Sequence, residues 1–424
     1  QLAVLRQPQQ ARPTVQVDVA HALAETTGYF TLNGAQPNLW APISGLYPCG
    51  AALGQPGYVR IHANFDHHRD GVLRLLGLPL GNTTPKETVA QALQSFGAID
   101  FEERAAQAGL VVAAVRTPAA WAAHPQAAAV QAEPLVRITQ LDAGNPALPR
   151  PWPSVAAQAA PLAGLRVLDL TRILAGPVAA RTLAAHGADV LMVNGPGLPN
   201  IEAIADVSRG KRSALLDLKS AAGLAQMQHL LADSHVLLQG YRPGSLQALG
   251  LGPQQAAALR PGLVYASLSA YGRSGPWADR RGFDSLVQTA TGINWAEAEA
   301  FGAAQPQALP MQTLDYSAGF LLAFGIQAAL WRQATQGGSW HVEVSLARVA
   351  QWLVQAGRRP VAPQQASASS LAQRAGPYLE QLASGFGALA AVRHSGQLVG
   401  VAPSWLHPSV PPGTDAPQWL PQRP

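Results

Sequence analysis

Between Arg166 and Ser345 short apolar runs take turns with amphipathic segments, and this alternation restricts the possible folds more than any other feature of the chain. Arg166-Val-Leu-Asp-Leu170, Ala188-Asp-Val-Leu-Met-Val193, His235 to Gln239, Leu263-Val-Tyr-Ala-Ser-Leu-Ser269 and Trp340-His-Val-Glu-Val-Ser345 read as strands, and Ala214 to Leu218 is strand-like. Pro177 to His186, Ala221 to Ala232, a short region reaching Arg260, and Tyr316 to Gln333 read as helices. Pro177 sits where a first helical turn tolerates it, and Gly187 and Gly337-Gly338 sit where helices stop. Strands that alternate with helices in this way predict an α/β fold with a parallel sheet covered on both faces.

Upstream the pattern changes. Gly57-Tyr-Val-Arg-Ile-His62 alternates as a strand does, and Asp66 opens an amphipathic stretch that includes Val72 to Leu78. Thr83-Thr-Pro-Lys-Glu87 leads into a helix through Val89 to Phe96, Asp100 to Ala108 reads as another that ends at Gly109, and Leu110 to Val115 is apolar. Residues 1–29 carry no firm pattern and are expected to form a draped lead-in. The Pro-, Ala- and Gly-rich stretch Asp142 to Pro161 is the best linker. The last 70 residues carry Pro360, Pro363, Pro377, Pro403 and more near the end, which predicts an extended tail packed on a surface, with Leu371 to Leu382 helical. The expected division is 1–150, 151–356 and a Pro-rich extension, 357–424.

Composition removes several classes. Of 424 residues, 48% are hydrophobic and 12% charged, a balance that a disordered chain does not have. The net charge of +5 is dispersed, which argues against nucleic acid and suits a phosphorylated small molecule. Phe320 to Trp331, the longest apolar stretch, is shorter than the ~20 residues of a membrane span, so no membrane partner is expected. The N-terminus lacks the pattern of a secretory leader, and a lone cysteine, Cys49, fits a reducing cytoplasm. His62, His67 and His68 invite a metal, but no carboxylate pattern completes a site and none is assigned.

In a parallel sheet ligands bind at the carboxyl ends of strands, so five loops hold the candidate chemistry. Thr171-Arg-Ile-Leu-Ala-Gly-Pro177 is not the glycine-rich dinucleotide fingerprint, but amides at its helix start could receive an anion. Arg209-Gly-Lys-Arg-Ser213 is either a phosphate grip or a solvated turn. Gly240-Tyr-Arg-Pro-Gly244 offers stacking and a guanidinium. Ser269 to Pro276 is a flexible loop followed by Arg280-Arg-Gly-Phe-Asp284, where Asp284 is a helix cap or an active-site acid. In Thr313-Leu-Asp-Tyr-Ser-Ala-Gly319, Asp315 is a cap or an anchored carboxylate kept ionised by the helix N-terminus.

Pro161-Leu-Ala-Gly-Leu-Arg-Val-Leu-Asp-Leu-Thr-Arg172, Leu174-Ala-Gly-Pro177, Gly187-Ala-Asp-Val190, Arg209 to Ser213, Tyr241-Arg-Pro-Gly244 with Leu249-Gly250, and Asp315 together resemble the class III CoA-transferases, over residues 161–350. The resemblance implies a Rossmann-like large domain, a small α+β domain and a homodimer of interlocked rings. Leu46-Tyr-Pro48, Tyr58-Val-Arg-Ile61 and Trp121-Ala-Ala-His-Pro125 look like pieces of the small domain, here placed before the large one. The implied reaction moves CoA between an acyl-CoA and a carboxylic acid, with Asp315 as nucleophile and no permanently bound cofactor. Backbone amides near Gly272 are the expected oxyanion donors, with CoA at Leu174, Ala175, Leu216, Lys219, Tyr241 and Arg242 and the substrate also at Phe283 and Asp284. Asn194-Gly195 and Gly240 depart from the family pattern, which brings in Arg209 and Arg212 as replacement contacts. A racemase would need a histidine where Phe283 precedes Asp284, so α-proton exchange on a 2-methylacyl-CoA is the second reading and a non-catalytic CoA-binding protein the third.

Overall fold

The computed structural model describes residues 2–6, 12–142, 144–153, 159–358 and 370–421. Parts of the expected linker (143, 154–158) and lead-in (1, 7–11), and Pro360 and Pro363 of the tail, lie outside the described residues.

The N-terminal segment is not a draped lead-in. Helix α1 (Leu2–Arg6) is tied down by its last residue, whose guanidinium donates to the carbonyl of Pro161 at 2.7 Å. Strand β1 (Val15–Val17) precedes α2 (Val19–Thr26), which Asp18 caps by accepting the His21 N–H. The buried face of α2 consists of His21, Ala24 and Glu25, so it left no apolar periodicity to read. Strand β2 (Phe30–Leu32) follows.

Residues 45–114 form a separate three-stranded antiparallel sheet, β3 (Gly45–Cys49), β4 (Gly57–Ile61) and β5 (Val112–Ala114), with helices α3 (Asp66–Leu75), α4 (Lys86–Leu93) and α5 (Ala98–Gln107). Val59 and Ile61 of β4 point into a core with Tyr47, Val72, Leu93 and Phe101. The period of two then turns Arg60 and His62 to the opposite face. Short helices α6 (Pro118–Ala122) and α7 (Pro125–Gln131) lead to the main sheet.

That sheet has seven strands among the described residues. In chain order they are β6 (Arg137–Gln140), β7 (Arg166–Leu170), β8 (Asp189–Asn194), β9 (Lys211–Leu215), β10 (Val236–Gln239), β11 (Val264–Ser269) and β12 (Trp340–Ser345). The spatial order is β6-β12-β11-β10-β7-β8-β9, and all but β6 run parallel. This is the mixed α/β architecture that the alternation predicts, with the chain reversing direction across the sheet after β9 as in doubly wound folds. Strand β6 joins from upstream of residue 150 and supplies an antiparallel edge.

The covering helices are α8 (Ala175–Ala185), α9 (Ile204–Val207), α10 (Ala221–Ala232), α11 (Pro253–Leu259), α12 (Asp284–Ala290), α13 (Ile293–Ala300) and α14 (Thr313–Gln336), then α15 (Leu346–Gln355) beyond the last strand. Helix α14 is long and apolar enough to cross a membrane by length and composition, which the run from Phe320 alone did not indicate, yet most of it is buried inside the protein. It crosses α8 closely. A Cβ on Gly319 would lie 2.7 Å from the Ala175 carbonyl and 2.8 Å from Val178, so a larger residue there would push the helices apart.

Strand β9 corrects the sequence reading by three residues. The basic stretch at Lys211 is the strand itself and is buried, because the Lys211 ammonium meets the Asp169 carboxylate at 2.8 Å and the Pro177 carbonyl at 2.9 Å. Paired charge looks like surface in a hydropathy pattern. Helix α16 (Leu371–Ala375) stops well short of Leu382. Leu379 onward forms a hairpin, β13 (Leu379–Ser384) with β14 (Gly387–Val392), and β14 pairs with β2. Strand β15 (Gly396–Leu398) pairs with β1. The tail is extended, as expected, and lies along β9 and α10 through Asp415 on Ser213 and Trp419 on the Leu230 carbonyl.

Candidate functional site

Asp315 lies in the first turn of α14, and Asp284 opens α12. Helix α14 has no side-chain cap of its own; Gln312 fills the cap position without bonding to it. Asp284 does that work from the neighbouring helix. Its Oδ2 accepts the Asp315 N–H at 2.9 Å, the Leu314 N–H also reaches it, and the Gln288 amide donates to Oδ1. Asp284 is thus both a cap, of the other helix, and a buried acid beside the nucleophile candidate.

The Asp315 carboxyl is treated differently. It is 8% exposed, and among the described residues no hydrogen bond or ion pair reaches it. Burial and the charge of Asp284 hold it protonated far above the usual carboxylate range, which reverses the expectation that the helix N-terminus keeps it ionised. Burial also raises Asp284. The two acids titrate as a pair, and here burial and like charge oppose the helix end.

The wall facing this pair comes from the N-terminal region. His62 stacks on Phe283 with ring centroids 4.0 Å apart and planes within 9°, and its Nδ1 is 3.3 Å from the Ser285 hydroxyl. Trp40 meets His62 edge-on at 5.7 Å, and the Arg60 guanidinium lies 4.9 Å over the Trp40 ring. Burial pushes the His62 imidazole down to about 3, and His68, beside Arg281 and Arg172, also falls to about 3, so both rings are neutral. The docking of β5 on α12 is close. Gly292 adopts φ 86° after α12, where a Cβ would strike the Pro118 nitrogen at 2.5 Å, and the Arg116 N–H bonds to the Thr289 carbonyl at 3.3 Å.

The remaining expected residues divide. Tyr241, half-buried, and Arg242, exposed, line a cavity of about 380 Å³ at the carboxyl ends of β10, β11 and β12, together with Gly272, Arg273, His341 and Glu343. Gly272 lines this cavity, and Asp315 is not among its lining residues. Gly272 adopts φ 95° against the Glu133 carboxylate, which takes the following Arg273 N–H at 3.0 Å. Leu174 caps the start of α8 and is buried with Tyr316, Ala175 is buried in the α8–α14 crossing, Leu216 is buried beside Tyr241, and Lys219 is exposed.

Arg209 and Arg212 are already occupied. Arg209 bonds to Asp206 at 2.5 Å and Glu380 at 2.6 Å under the Trp405 ring, and Arg212 bonds to the Gln418 carbonyl at 2.7 Å and to Asp189. The extension that covers them was read only as a tail, so their partners were invisible. Sequence reasoning missed Trp40 and Arg60; the strict alternation of Tyr58 to His62 was the available signal, since it sets Arg60 and His62 opposite the core positions.

The profile described as CoA-transferase family III matches residues 162–377, half of the chain. The chain belongs to CoA-transferase family III. An acyl-CoA transferase of Gibberella moniliformis is 30% identical over 306 residues, 68% of this chain and 53% of that protein. A succinate–glutarate CoA-transferase of Agrobacterium fabrum is 34% identical over 206 residues, 44% of this chain and 51% of that protein. Among solved structures, a CAIB/BAIF family protein from Brucella suis is 28% identical, with 54% of this chain and 65% of that one covered and a TM-score of 0.42. The chain spans about half the length, or less, of the curated relatives it matches. The family III match includes β7 through α14, and so both Asp284 and Asp315.

Proposed function

We propose that this member of CoA-transferase family III moves CoA from an acyl-CoA to a carboxylic acid with Asp315 as the nucleophile. One observation carries the reading: a buried carboxyl at a helix start that no group among the described residues satisfies, beside a second carboxyl that accepts two backbone N–H groups and an amide. An unsatisfied buried acid is costly to keep unless something else engages it.

In this scheme the ionised Asp315 oxygen attacks the thioester carbonyl, the C–S bond breaks, and CoA leaves as a thiolate, giving a mixed anhydride. The thiolate then attacks the aspartyl carbonyl, the anhydride C–O bond breaks, and the donor leaves as a free carboxylate. The acceptor carboxylate attacks the aspartyl-CoA thioester and the same two steps run in reverse. No net proton is consumed, and the thioester energy is conserved. Asp284 keeps Asp315 in place through its N–H. Burial raises Asp284, and the charge of Asp284 in turn raises Asp315, so the nucleophile ionises more readily when Asp284 is protonated.

CoA contacts in this reading fall to Tyr241 and Arg242, with Lys219, Leu174, Ala175 and Leu216 nearer the strand ends, while Arg209 and Arg212 hold the scaffold. Division into a large unit, a small unit of residues 45–114 and a C-terminal extension, and assembly as a homodimer, belong to the same proposal. To test it, the protein is incubated with an acyl-CoA donor, trapped with hydroxylamine and digested. A hydroxamate on the Asp315 peptide is expected; modification elsewhere, or none, overturns the mechanism. Mass measurement by light scattering tests the dimer.

A further inference from the structure

Arg60 is 8% exposed, and its Nε is buried without a partner. Among the described residues its guanidinium makes no hydrogen bond and no ion pair, and it lies over the face of Trp40 at 4.9 Å. Elsewhere buried arginines are paired: Arg181 holds Glu25 and Asp206, Arg116 holds Glu102, and Arg209 holds Asp206 and Glu380. Yet Arg60 is close enough to Asp284 for each to act on the other's charge, without an ion pair between them. A guanidinium desolvated on its stem, set on an aromatic face and left with free donors near Asp284 is built to take an anion from outside the chain. Its orientation is fixed by strand alternation on β4, whose sheet docks on α12, so the group is rigid rather than a mobile surface side chain.

We infer that Arg60, stacked on Trp40, holds the non-reacting carboxylate of a dicarboxylic substrate, so that this site favours dicarboxylic acids and their mono-CoA esters over monocarboxylic ones. The inference rests on the proposed CoA transfer and deepens it. The planar fork matches a carboxylate with two parallel N–H bonds, while the reacting end of the acid is left for Asp315.

Chain-matched pairs provide the test: glutaryl-CoA against valeryl-CoA as donors, and glutarate against valerate as acceptors, with wild type and Arg60→Met. Wild type should favour the dicarboxylic member, and Arg60→Met should lower kcat/KM for it by about 100-fold while changing the monocarboxylic member less than about threefold. Arg60→Lys should restore part of the preference, because it keeps charge but not the fork. Equal losses on both members would show a structural role and overturn the inference. So would a wild type that prefers valeryl-CoA, although Asp315 labelling would then still stand. If no pair turns over, calorimetric titration of glutarate into the CoA-loaded full chain decides the matter. Binding lost in Arg60→Met supports the site, and absence of binding in wild type ends it.

Discussion

Two buried acid clusters flank the start of α14, and they treat their carboxylates in opposite ways. On one side, Glu25 accepts from Arg181 at 3.0 Å, from the Ser395 hydroxyl at 2.7 Å and its N–H at 2.8 Å, and lies 3.2 Å from His394 Nδ1. Asp206 is clamped by Arg181 and Arg209, each at 2.5 Å. These partners overcome burial and hold Glu25 far below the usual carboxylate range. On the other side, Asp315 has burial and a like-charged neighbour and is held far above it. The two clusters meet at adjacent residues of α14, since the Arg181 guanidinium lies 5.9 Å from the ring of Tyr316, which follows Asp315. Equal burial with opposite satisfaction separates scaffold from chemistry: the first cluster ties α2, α8, α9 and the C-terminal hairpin together, and the second keeps an acid reactive.

The largest expected effect breaks the comparison at the reactive side. Asp315→Asn should reduce transfer by about 10³-fold or more, because an amide cannot form the anhydride, while thermal stability holds or rises as like-charge repulsion is removed. Melting curves and turnover measured on one preparation check both halves; a large fall in melting temperature would place Asp315 in the scaffold instead. Arg181→Met should do the reverse. It removes one cation from Glu25 and Asp206, leaving Glu25 on Ser395 and His394 and Asp206 on Arg209, and should cost about 3 kcal/mol by denaturant unfolding, with kcat per folded molecule unchanged.

Acid titration sharpens the contrast. Glu25 is depressed, so its contribution to stability is complete above the ordinary glutamate value of ~4.3 and is lost as pH falls below it. Glu25→Gln should be less stable than wild type by about 2 kcal/mol at pH 7 and should lose less stability on acidification. Asp315 is raised, so activity should fall on the acid side at a pH well above that of an ordinary aspartate. Asp284→Asn keeps an oxygen for the α14 N–H groups but removes the charge, and should move the acid limb of kcat/KM down by about one pH unit. A limb that stays fixed would show that burial alone sets Asp315.

Much of this was legible in the chain and some was not, for physical reasons. Strands β7, β8 and β10 are largely buried on both faces, so their apolar runs announce them. Asp284 and Asp315 were found because loops after strands are where such sheets bind ligands. The state of Asp315 was not found, because protonation depends on a neighbour 31 residues away in sequence. Helix α2, strand β9 and the role of Arg209 were misread for a shared reason: their buried charges are satisfied by partners distant in sequence, Glu25 by Ser395 and Arg209 by Glu380. A reading based on residue polarity assigns such groups to the surface. Arg60 escaped for the converse reason, since among the described residues nothing pairs with it.

The smallest expected effect lies at Arg242, exposed at the mouth of the cavity shared with Tyr241. An exposed guanidinium that meets a phosphate is screened by salt and loses side-chain freedom on binding, so its net contribution is modest. Arg242→Ala should raise KM for the acyl-CoA about threefold at low ionic strength and leave kcat and stability unchanged. In about 0.5 M salt the difference between wild type and variant should largely vanish, because the Debye length is then only a few ångströms. Arg60 predicts the opposite pattern: its donors are desolvated, so the dicarboxylate preference should persist at the same salt. If both effects faded together, Arg60 would be working as a screened surface charge, and the distinction between satisfied, reactive and substrate-facing buried groups would fail at its third member.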